Sequence, residues 1–92
     1  MIRSFVHKGL QSFYRTGDGK GIKQDHVSKI RLILTHLDQA TATNEMNLPG
    51  LYLHQLKGKR SGIWSVRVSG NWRITFRFVD KDVEVVNYED YH

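Results

Sequence analysis

The 92-residue chain has no cysteine and one proline, Pro49. Without thiols there can be no disulfide and no thiolate metal site, which fits a reducing cytoplasm. No apolar run is long enough to span a membrane, and residues 1–14 lack the apolar core of a signal peptide. There is no low-complexity tract or internal repeat. A composition of 39% hydrophobic and 25% charged residues then reads as one globular domain, residues 1–92. Acidic residues are the scarcer charge, nine Asp and Glu against 14 Lys and Arg, for a net +5. That excess favours a polyanionic partner of unspecified kind. Between residues 51 and 78 acidic residues are missing altogether, while Lys57, Lys59, Arg60, Arg67, Arg73 and Arg77 all fall there.

The same stretch alternates apolar and polar residues, the pattern of half-buried strands. Trp72, Ile74, Phe76 and Phe78 share one face, and Arg73, Thr75 and Arg77 the other. Upstream, Trp64, Val66 and Val68 oppose Ser65 and Arg67. A two-residue loop at Gly70-Asn71 would set Val68 across from Arg73 and mix the faces. A three-residue loop at residues 69–71 pairs Val68 with Trp72, Val66 with Ile74 and Trp64 with Phe76, and is preferred. It sets Arg67 opposite Arg73. Like charges facing each other across a sheet are mildly destabilising. Such a pair marks either an anion held between the arginines or a solvated face where they splay apart, and alone it leaves both open.

Elsewhere residues 1–7 alternate weakly, as a short strand would. Leu10, Phe13 and Tyr14 have helical spacing, and the following Gly17, Gly19 and Gly21 make a stop or loop. That loop lacks the G-x-x-x-x-G-K-[ST] spacing of a phosphate loop. Val27, Ile30, Ile33, Leu34 and Leu37 form the clearest apolar helical stripe, from an N-cap at Asp25 to about residue 40. His26 and His36 are read as surface histidines. Residues 41–50 connect, with one helical turn. Residues 51–56 begin the strands, with Tyr52 and His54 on the polar side. Residues 83–88 end them, with Val83 and Val85 meeting Phe78 and Phe76, Glu84 near Arg77 and Tyr88 near Arg73. The expected class is α+β: an N-terminal strand and two helices packed on one face of an antiparallel sheet.

The uncovered face would gather His54, Arg67, Arg73 and Arg77, with Tyr91 and His92 at its rim. With no carboxylate cluster suited to a metal, these residues suit phosphate chemistry without a metal or cofactor. In RNA cleavage a base takes the 2′-hydroxyl proton, cations stabilise charge at phosphorus, and an acid protonates the leaving 5′-oxygen. Histidine titrates in the right range for such transfers. By position alone, on a strand's polar face, His54 is by default a surface histidine. Trp64 and Trp72 fit the core better than a base-stacking platform, and Asp80, Asp82 and Glu84 a solvated turn better than a metal site.

The run LKGKRSGIWSVRVSGNWRITFRF, the terminal NYEDYH and the MIRSF start resemble the HigB toxins, a branch of the RelE-like superfamily, over essentially the full length. The resemblance implies a microbial-ribonuclease-like fold and a ribosome-dependent endoribonuclease that cuts mRNA in the A site. It implies as partners the 70S ribosome with its mRNA and a HigA-like helix-turn-helix antitoxin, through which operator DNA is met only indirectly. No membrane is implied. The family's active-site positions match His54, Lys57, Arg73, Asp90, Tyr91 and His92. Lys23, Lys29, Arg31, Lys59, Arg60, Arg67 and Arg77 would grip ribosomal RNA. Two rival readings are a ParE-like gyrase poison, whose relatives generally lack this His, Lys, Arg and Tyr-His set, and a non-enzymatic RNA-binding regulator.

Overall fold

The computed structural model describes residues 1–90. Helix α1, Lys8–Thr16, starts where the His7 ring accepts the Leu10 N–H at 3.0 Å. It stops at Gly17, whose φ of 81° turns its N–H back onto the Phe13 carbonyl. Leu10 and Phe13 face the core. The loop beyond passes so close to α1 that a Cβ on Gly21 would sit 2.6 Å from the Gly9 Cα. Bare backbone is therefore required at both glycines.

Helix α2, Val27–Gln39, buries Ile30, Ile33, Leu34 and Leu37, the stripe read from the sequence. The expected cap at Asp25 is not used. The helix is entered through a 3-10 turn, Gln24–His26, in which the Val27 N–H already bonds the Gln24 carbonyl, so the first donors need no side chain. The same turn carries His26 inward. It is 4% exposed, and its Nδ1 lies 2.7 Å from the Tyr88 hydroxyl, so it is a core residue and not the expected surface histidine. His36 is exposed, as expected. A 3-10 turn at Thr43–Met46 supplies the helical turn of the connection and buries Met46.

Four antiparallel strands follow in sheet order β1-β2-β3-β4: His54–Gln55, Trp64–Ser69, Trp72–Val79 and Asp82–Asp90. Helix α2 buries its apolar stripe in one core with Val66, Val68, Ile74, Phe76, Val83, Val86 and Tyr88 from the sheet. The strand expected over residues 51–56 shrinks to two residues because Tyr52 adopts a φ of 51°, which breaks the pleat. Leu51 still reaches the core, and its carbonyl accepts the Arg67 N–H at 2.6 Å. At the N-terminus the expected strand is only two parallel bridges, Ile2 to Val83 and Phe5 to Val86.

Two bulges set the register. Across β2 and β3, Trp64 pairs with Phe76, Ser65 with Thr75, Val66 with Ile74 and Arg67 with Arg73, all as expected. The register then shifts: Ser69, not Val68, pairs with Trp72, so the loop is Gly70-Asn71 and Val68 is the extra residue. Gly70, with a φ of 56°, permits the tight turn. Across β3 and β4, Arg77 pairs with Glu84 and Phe78 with Val83, again as expected. Between Thr75 and Arg77 a second shift intervenes, and Val85 there has a φ of 50°. Beyond it Val86, not Val85, enters the core. Ile74 pairs with Tyr88 and Arg73 with Glu89. Tyr88 therefore joins the core instead of lying near Arg73, stacked on Trp72 with ring centroids 4.6 Å apart. The N–H that the bulge leaves over at Val85 donates to the Ser4 hydroxyl at 2.9 Å, so the N-terminal segment holds the distortion in place.

Candidate functional site

On the sheet face away from α2, Tyr52, Leu53, His54, Leu56, Ser65, Arg67 and Arg73 line an open hollow of about 480 Å³. Strand pairing explains the set. His54 sits opposite Ser65, and Arg67 opposite Arg73. Ser65 and Thr75, the short side chains between taller ones, are buried. The Arg67 guanidinium lies over the Tyr52 ring, 5.6 Å from its centroid, which fixes one cation at the wall. Among the described residues, no carboxylate pairs with either Arg67 or Arg73. Two guanidiniums facing each other across a ladder, with no described carboxylate between them, have the charge and the donors to receive an anion. His54, exposed at the rim, adds a group able to move a proton.

The other expected site residues divide. Lys57 is exposed and directly precedes the 3-10 turn Gly58–Arg60 beside the hollow, which also carries Lys59. Asp90 ends β4 opposite Trp72. Tyr91 and His92 lie outside the described residues. Arg77 is spoken for: its Nε donates to Glu84 at 3.0 Å. Lys23, Lys29 and Arg31 belong to the helical layer. Lys23 lies over the Trp72 ring, Lys29 donates to the Gly50 carbonyl, and Arg31 lies over Phe13. Arg60 is forked onto Glu89, with Nη1 to Oε1 at 3.1 Å and Nη2 to Oε2 at 2.5 Å.

Glu89 was not among the candidates, since straight pairing of β4 would not bring it to this face. It also accepts from the Thr75 hydroxyl at 2.7 Å. Burial alone would push its carboxyl upward, but the hydrogen bonds from Arg60 and Thr75 hold it below the ordinary carboxylate range. The signal lay in the adjacent Val85 and Val86. Either of two neighbouring β-branched residues can be the one that points inward, and here it is Val86.

A second hollow of about 320 Å³ opens between α1 and α2, lined among others by Tyr14, Arg31 and Asp38. Its polar pair is already satisfied. The Tyr14 hydroxyl donates to Asp38 at 2.7 Å, and burial together with that carboxylate pushes the phenol up to about 12.

The α+β arrangement of helices over a four-stranded antiparallel sheet is a RelE-like fold. The YoeB dimer structure from Staphylococcus aureus superposes with a TM-score of 0.62 over 99% of this chain and 94% of that one, at 18% identity. At the sequence level, Endoribonuclease HigB of Proteus vulgaris is 46% identical over 92 residues, the full length of both chains. The family described as the RelE-like toxin of the type II toxin–antitoxin system HigB matches residues 3–92. The chain belongs to that HigB-like toxin family.

Proposed function

We propose that this toxin is an endoribonuclease that cuts mRNA in the ribosomal A site and so arrests translation. The observation that carries the reading is that His54 and Arg73, from separate segments of the chain, line one cationic hollow on the helix-free face of the sheet. The activity named for the Proteus vulgaris relative supports it. In the reaction a base removes the 2′-hydroxyl proton, and that oxygen attacks phosphorus. The 5′-oxygen then leaves with a proton from an acid, giving a cyclic 2′,3′-phosphate and a 5′-hydroxyl. His54 takes one of the proton-transfer roles. Arg73 and Lys57 meet the scissile phosphate, a contribution of roughly 3–4 kcal/mol for a well-placed donor. Arg67, held over Tyr52, extends the anion site. Asp90, Tyr91 and His92, matched to the family's pattern by sequence, complete the set, with Tyr91 stacking on a base or orienting the 2′-hydroxyl.

A type II toxin implies an antitoxin. We take the partner to be a HigA-like helix-turn-helix protein and the working compartment to be the cytoplasm. Among the described residues no helix is long and apolar enough to cross a membrane. Lys23, Lys29, Arg31 and Lys59 contact ribosomal RNA, because few proton-transfer groups are present and the ribosome must align the substrate for them. The test is to induce the chain in a bacterial host and map mRNA 5′ ends. Cuts within translated codons, absent with Arg73→Ala, are the expected result. Growth arrest without such cuts points to a non-enzymatic RNA binder, and efficient cutting of free RNA contradicts the need for the ribosome.

A further inference from the structure

Arg73 and Glu89 are direct cross-strand partners on the open face of the sheet. Opposite charges at such positions ordinarily pair with each other, since their Cβ atoms stand only about 5 Å apart. Here they do not. Both oxygens of Glu89 are taken by Arg60, which arrives from the Gly58–Arg60 turn, and Oε2 also accepts from Thr75. Arg73 lines the hollow and, among the described residues, no carboxylate holds it. Two arginines thus stand near one carboxylate, and the one from outside the ladder has it.

We propose that Arg60 is a positioning residue: by occupying both oxygens of Glu89 it keeps the Arg73 guanidinium available to the RNA phosphate. The proposal rests on the reading of Arg73 as a phosphate contact and adds a cause for its availability. A bidentate fork on a partly buried carboxylate is stronger than a single lateral contact, so Glu89 stays with Arg60 while Arg60 is present. Remove Arg60, and Arg73, the cross-strand partner of Glu89, is left to neutralise it and then turns along the sheet and away from the hollow. The defect in such a variant comes from the carboxylate left behind, so removing the carboxylate as well cures it.

The experiment is a double-mutant cycle on the full chain, read as the rate of mRNA cleavage on translating ribosomes. Arg60→Ala is expected to slow cleavage about tenfold, the worth of one charge-assisted pairing competing with the substrate phosphate. Glu89→Gln alone, and Arg60→Ala combined with Glu89→Gln, are both expected to stay within about threefold of the parent, as sites left with no competing pair should. If the double variant is as slow as Arg60→Ala, Arg60 acts on the RNA itself and the proposal is wrong. If Glu89→Gln is as slow as Arg60→Ala, the pair merely straps the turn to β4, and the proposal is again wrong. Arg73→Ala cutting at the parental rate instead removes the underlying reading of the site, a separate failure. Should Arg60→Ala not fold, Arg60→Gln replaces it, and the Arg73 Nε–H resonance supplies a readout independent of cleavage. Its exchange with water slows in the single variant and recovers in the double. Equal exchange across the set overturns the proposal.

Discussion

The two long hairpins of the sheet each contain one extra residue, and the same device has opposite consequences in them. In the β2–β3 hairpin the bulge lies at Val68, one residue from the loop, and only the last pair is altered. In the β3–β4 hairpin it lies at Val85, in the middle of the strand, and every later residue changes face. A period of two makes this unavoidable: an extra residue reverses all that follows, and its position decides how much follows. The first bulge adjusts a turn. The second carries Tyr88 into the core and brings Glu89 to the open face.

The largest expected effect tests that exchange of faces. Tyr88→Ala should cost about 3–5 kcal/mol in urea unfolding, as truncation of a core aromatic does. Glu89→Ala should cost roughly 1 kcal/mol, as a partly exposed ion pair does. A straight β4 requires the reverse order. Next in size is Tyr88→Phe, which leaves buried His26 without its hydroxyl partner and should cost about 1–2 kcal/mol. Ser4→Ala removes the acceptor of the Val85 N–H at the bulge and should cost about 1 kcal/mol in the same measurement. Deleting Ser69 should cost less than about 1 kcal/mol, because Val68 can then pair with Trp72 across the unchanged Gly70-Asn71 loop.

The smallest effect is a pH dependence. Glu89 titrates below its unfolded value, so its contribution is complete above the ordinary carboxylate range and is lost as pH falls through the lowered value. The unfolding midpoint of the parent should exceed that of Glu89→Gln near neutral pH, and the gap should close below about pH 4, where carboxylates protonate. A gap that widens in acid contradicts the assignment.

These elements also show what the sequence makes legible. Helix α2 could be read because its stripe repeats at helical spacing with nothing to interrupt it. The β2–β3 ladder could be read as far as Arg67 and Arg73 because alternation on both strands admits one register. His54, Arg67 and Arg73 therefore came together on one side as expected. The misplacements share a physical source. Tyr52 and Val85 adopt left-handed backbone conformations that no glycine announces, and each breaks an alternation that looked continuous. His26 was misread because a 3-10 turn, invisible to helical periodicity, rotates it inward onto Tyr88. Arg60 and Glu89 lie 29 positions apart. Nothing local couples them, so their pairing emerges only with the tertiary structure.

The central claim is that chemistry belongs to the open face of the sheet and the helical layer only assists binding. The direct measurement is the single-turnover rate of mRNA cleavage on programmed ribosomes at saturating toxin, for Arg73→Ala beside Arg31→Ala. Arg73→Ala should lower that rate by about 100-fold or more, the loss typical of one electrostatic donor at a reacting centre. Arg31→Ala should change only the concentration needed to reach saturation. Equal losses of rate at both positions, or a parental rate in Arg73→Ala, would contradict the claim.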